Sequence, residues 1–89
     1  MQNVYVVGSE YKNDRADLLI YAYRNDAITY AKDKIQKMCN VKSEIRQLNV
    51  AGYIYFAINL SEGILVYVQD KTIVYTTSSS YALNIPVGG

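Results

Sequence analysis

The chain has no histidine and no tryptophan, and only one cysteine and one proline. Without histidine, the commonest general base and the commonest metal ligand are missing together. A serine- or cysteine-based hydrolytic site would lack the base that activates its nucleophile. One cysteine, Cys39, can neither close an intramolecular disulfide nor complete a zinc site. Cys39 falls at the end of a helical stretch, where the helix dipole raises a thiol pKa, so it reads as a core residue and not as a nucleophile. The carboxylates are spread out, with Asp14 and Asp17 the nearest pair outside the helix, and no acid/base pair is indicated. The stretch Asn13-Asp14-Arg15-Ala16-Asp17 has neither the turn glycine nor the distal glutamate of a calcium loop. No glycine-rich phosphate cradle is present, since Gly8 ends an apolar run with no helix directly after it. These absences assign no catalytic, cofactor-binding or metal-ligating residue, and the expectation is a protein that is not an enzyme.

Charge is also scarce. Only 19% of residues are charged, nine Lys/Arg against eight Asp/Glu, for a formal net charge of +1. So even a balance lacks the electrostatic footprint of a duplex-DNA binder or an acidic-membrane binder. No apolar run approaches the roughly 20 residues of a membrane helix. The opening Met1-Gln2-Asn3-Val4-Tyr5 has no basic segment followed by a long apolar one, so no secretory signal is predicted. Together with the lone cysteine, this predicts a cytoplasmic protein, or one acting in a host cytoplasm if its origin is viral.

What the sequence does have is apolar patterning, with 51% hydrophobic residues in 89, too many for a disordered chain. The length fits a single domain, 1–89. Residues 4–7 and 18–23 read as short strands, with 10–17 as a polar loop between them. Ala27, Ile28, Ala31, Ile35, Met38 and Cys39 recur at helical spacing, predicting one amphipathic helix over about 26–39. Asn25 or Asp26 would cap its start and Asn40 its end. After residue 40 the period changes to two, predicting strands at 44–50, 53–60, 64–69 and 72–77. The turns fall at Ala51-Gly52, Ser61-Glu62-Gly63 and Asp70-Lys71, and 81–87 adds a short edge strand. The expected fold class is therefore α+β, one amphipathic helix packed on a mainly antiparallel sheet in the order β-β-α-β-β-β-β. In simple register Ile54, Phe56, Ile58, Leu60, Ile64, Val66 and Val68 face the helix, joined by Ile73 and Tyr75.

Ten residues are tyrosine. Tyrosine covers large area at low side-chain entropy cost and keeps a hydrogen-bonding tip, which suits interfaces. The same register sends Tyr53, Tyr55, Leu65, Tyr67 and Val74 to the face away from the helix, and these are the candidate interface residues. The expectation is a small non-enzymatic binding module acting through protein–protein contact, first as a homodimer. The Tyr-, Ile- and Asn-rich composition would suit a thermophilic or viral genome, and such a module would suit a virus-encoded or archaeal inhibitor or adaptor. Stacking of single-stranded nucleic acid on the tyrosines is a further reading. It is disfavoured because no Lys or Arg lies between Arg46 and Lys71. The polar run 76–81 reads as a surface connector.

The ending Asn84-Ile85-Pro86-Val87-Gly88-Gly89 resembles that of ubiquitin-like modifiers and sulfur carriers. The resemblance covers about five residues. It implies a strand-strand-helix opening and activation of the Gly89 carboxylate for transfer. The strands expected after the helix outnumber those of that fold.

Overall fold

The computed structural model describes residues 2–73 in full and the backbone of residues 74, 75 and 81–83. The chain runs β1 (Gln2–Tyr11), β2 (Asp14–Tyr21), α1 (Arg24–Met38), a 3₁₀ turn (Lys42–Glu44), β3 (Arg46–Gln47), β4 (Tyr55–Asn59), β5 (Ile64–Tyr75) and β6 (Tyr81–Leu83). The sheet is antiparallel throughout, in the order β2-β1-β5-β4-β3, and β6 pairs with the far end of β5. One helix packed on an antiparallel sheet is the α+β class expected.

Several boundaries differ from the sequence reading, each for a local reason. The polar stretch 10–17 is not a loop but the two arms of a hairpin. Tyr11 pairs with Asp14, so the turn is Lys12-Asn13, with φ of 51° and 70°. Two positive φ values make the tight turn whose twist matches that of the strands. The Lys12 amide also donates to the Gly63 carbonyl at 2.7 Å, tying this turn to the β4–β5 turn.

Asp70-Lys71 is not a turn. β1 supplies partners beyond that point, Tyr5 to Asp70 and Val4 to Lys71, so β5 continues for 12 residues. Neither Asp70 nor Lys71 takes the positive φ that a two-residue hairpin needs. β1, placed by the sequence as a short segment, therefore lies inside the sheet between β2 and β5. The strand expected at 44–50 shrinks to Arg46–Gln47 after the 3₁₀ turn.

The helix begins at Arg24, with Tyr23 as a cap that makes no side-chain bond. Asn25 and Asp26 are therefore inside the first turn. The helix ends at Met38, with Cys39 already extended, so Asn40 is not a left-handed cap. The free amides after it go instead to one carboxylate. Glu62 accepts from the backbone N–H of Asn40 at 2.9 Å and of Val41 at 3.1 Å.

The core lies between α1 and one sheet face. Ala27, Ala31, Ile35 and Cys39, four residues apart, meet Val7, Tyr55, Ala57, Ile64, Val66 and Val68. Ala27, Ala31 and Ala57 are fully buried, and small side chains there let the helix sit close to the sheet. Tyr21 and Tyr30, with ring centroids 5.5 Å apart, and the Lys34–Asp17 ion pair at 3.2 Å tie α1 to β2.

The main correction concerns β4. Asn59 pairs with Ile64, which leaves a four-residue turn, 60–63, where the sequence suggested three. That one residue turns β4 over. Tyr55 and Ala57 face the helix, while Phe56 and Ile58 stand on the far face beside Tyr67 and Leu65. Leu60, expected in the core, is 82% exposed in the turn. Ile73 falls on the far face because β5 does not reverse at 70–71. The side chain of Tyr75 lies outside the described residues.

Candidate interaction face

Strand pairing fixes which side chains share the face away from α1, because residues directly opposite point the same way. One row across four strands reads Leu18, Gly8, Tyr67, Phe56. On one side of it lie Ile20, Val6 and Gln69. On the other lie Arg15, Glu10, Leu65, Ile58 and Arg46.

Gly8 is what lets the central row lie flat. A Cβ built there would fall within the Tyr67 ring, against Cζ and the hydroxyl. Any other residue would lift Tyr67 off β1, which accounts for a glycine in a strand interior. Tyr53, from the turn before β4, closes the cluster. Its ring meets Phe56 edge-on at 5.1 Å between centroids and Tyr67 at 5.4 Å. Burial pushes the Tyr67 hydroxyl above its ordinary value of 10.0, with nearby Arg15 opposing the shift and Glu10 adding to it. Among the described elements, the only α-helix packs on the opposite face. Tyr53, Phe56, Ile58, Leu65 and Tyr67 stay partly exposed, Leu18 is 40% exposed and Ile20 is 49% exposed.

Of the five candidate interface residues, the structure brings Tyr53, Leu65 and Tyr67 together on this face. Tyr55 is not among them, because the β4 register buries it under the helix. Val74 lies in β5, and its side chain is outside the described residues. Phe56, Ile58, Leu18 and Ile20 belong to the face and were missed. Recognising the first two required the length of the 60–63 turn, and the last two required β2 to be seen as an alternating strand.

The polar chemistry elsewhere is structural. Asn59 is fully buried and makes four hydrogen bonds. Its Nδ2 donates to the Val41 carbonyl at 3.1 Å and to Glu62 at 2.8 Å. Its Oδ1 accepts from the Ser61 hydroxyl at 2.9 Å and from the Glu62 amide at 3.2 Å. The Ser61 hydroxyl also bonds Glu44. The two backbone N–H donors hold the Glu62 carboxyl below its ordinary value of 4.5. Cys39 is 3% exposed in the core, and burial pushes its thiol up. Among the described residues, no group of three or more Cys, Asp or Glu side chains stands close enough to hold a metal ion. No helix there is long and apolar enough to cross a membrane. Gly88, Gly89 and the connector 76–80 lie outside the described residues. Comparison with protein-family models, with curated proteins and with solved structures finds no match for this chain.

Proposed function

We propose that this chain is a small non-enzymatic binding module that works through protein–protein contact on the far sheet face, beginning with a second copy of itself. The observation that carries the reading is the unbroken row Leu18–Gly8–Tyr67–Phe56, an apolar and aromatic strip across four strands on the face opposite α1. Contiguous apolar patches on small domains tend to mark interfaces, and a two-fold dimer in which the patch meets itself is the commonest closed arrangement. Charge does not oppose this. The patch rim carries both signs, Arg15 beside Glu10 and Arg46 beside Ile58, and the whole chain is nearly neutral.

Nucleic-acid stacking is less well supported. Tyr53 packs edge-on against both Phe56 and Tyr67, which does not present parallel platforms for bases. A cytoplasmic site of action belongs to the same proposal and is supported by a buried, unpaired Cys39.

Light scattering after gel filtration at micromolar concentration tests the reading. A dimer mass is expected for the wild type and a folded monomer for Ile20→Glu, which puts a charge on the far face at a half-exposed edge position. A monomer mass for the wild type would remove the basis for the proposal.

A further inference from the structure

We propose that a groove on the helix side of the molecule, between α1 and the segment 42–47, is a binding site for a small oxyanion-bearing ligand. The groove has a volume of about 340 Å³. One wall carries Lys32 and Gln36, which are four residues apart and so share a helix face. The other carries Lys42 and Gln47. The floor is Ile35, Ile45 and Tyr55.

Three observations point to an anion. The lining holds two ammonium groups and no carboxylate. Among the described residues neither lysine is paired, since the ion pairs of α1 use Lys34 with Asp17 and Lys37 with Asp33.

Tyr55 is the third and most specific. It is 93% buried, at 7% relative exposure, with its ring in the core under α1. Its hydroxyl makes no hydrogen bond among the described residues, and Tyr55 lines the groove. A buried tyrosine hydroxyl normally finds a partner. A ligand oxygen bound in the groove would give this one an acceptor, beside the two lysines and two side-chain amides of the same lining. A phosphoryl or carboxylate group can accept from ammonium, amide and hydroxyl donors alike, whereas a neutral ligand would gain nothing from the two positive charges. The site is on the opposite side of the sheet from the proposed interface, so the two proposals stand or fall separately.

Amide and aromatic NMR titrations at low ionic strength test it, with inorganic phosphate in one arm and acetate in the other. Saturable shifts are expected at Lys32, Gln36, Lys42, Gln47 and the Tyr55 ring. The arm that binds more tightly tells whether the natural ligand presents a phosphoryl or a carboxylate group. Tyr55→Phe keeps the buried ring and should weaken binding about fivefold, the equivalent of one lost hydrogen bond. Lys32→Gln, a change at an exposed position, should weaken it further and leave the rest of the spectrum in place. Shifts that never saturate, or an affinity unchanged in Tyr55→Phe, would overturn the proposal and reduce the effect to screening of surface lysines.

Discussion

Ser9 and Glu62 are two polar residues in opposite situations. Ser9 is 1% exposed on the helix side of β1, across from Val66 and Asp17, and its hydroxyl has no partner among the described residues. A buried hydroxyl without a partner carries its desolvation cost uncompensated. Ser9→Ala removes that cost, so stability should rise by roughly 1 kcal/mol, seen as a higher denaturation midpoint with an unchanged m-value. A lower midpoint would mean that the hydroxyl is paired after all. Glu62 is the reverse case, an accessible carboxylate that accepts from the Asn40 and Val41 amides and from the Asn59 side chain. Its folded pKa lies below the ordinary 4.5, so its contribution is complete above that pH and is lost as pH falls through the lower folded value. Thermal midpoints measured downward from pH 5 should fall more steeply in the wild type than in Glu62→Gln, which does not titrate. Parallel curves would count against the network as the link between the helix end and the β4–β5 turn.

At the scale of elements, α1 was legible because Ala27, Ile28, Ala31, Ile35, Met38 and Cys39 are separated by steps of one, three and four residues, which an alternating strand would split between its two faces. The β-sheet was less so, for two reasons. In β4 both alternating sets are apolar, Tyr55 with Ala57 and Phe56 with Ile58. Alternation then cannot choose a face, and only the turn length decides it. In β1, β2 and β5 charged residues interrupt the apolar alternation within the ladders, so Glu10, Asp17, Asp70 and Lys71 looked like loop or turn residues while pairing between strands. The missed turn, Lys12-Asn13, has no glycine to announce it, and asparagine is the residue type that best tolerates its left-handed backbone. Two substitutions of opposite sign follow. Asn13→Gly should stabilise the protein by a few tenths of a kcal/mol, since glycine adopts positive φ without a steric cost. Asn13→Val should destabilise it by about 1–2 kcal/mol. Chemical denaturation measures both, and a destabilising Asn13→Gly would place the turn elsewhere.

For the whole molecule, the question is how the described elements, one α-helix and one sheet, stabilise two apolar sheet faces. The helix accounts for one. The candidate site was legible as a face but not in membership. Tyr53, Leu65 and Tyr67 could be read from alternation, whereas Phe56, Ile58, Leu18 and Ile20 needed the register. If a second copy covers the far face, folding and association are coupled, and the midpoint of thermal unfolding must depend on concentration. A tenfold change in concentration alters the free energy of a dimer by about 1.4 kcal/mol, or about 0.7 kcal/mol per protomer. For a domain of this size the midpoint should then move by roughly 3–6 °C per tenfold change. Ile20→Glu should melt lower than the wild type and at a temperature independent of concentration. Gly8→Ala tests the same face from within the sheet, because its methyl group displaces Tyr67 from its seat on β1. It should lower the midpoint and weaken the concentration dependence without adding any charge. A wild-type midpoint constant over a hundredfold range of concentration would show that the chain folds alone, and that the Tyr67–Phe56 strip is stable facing solvent.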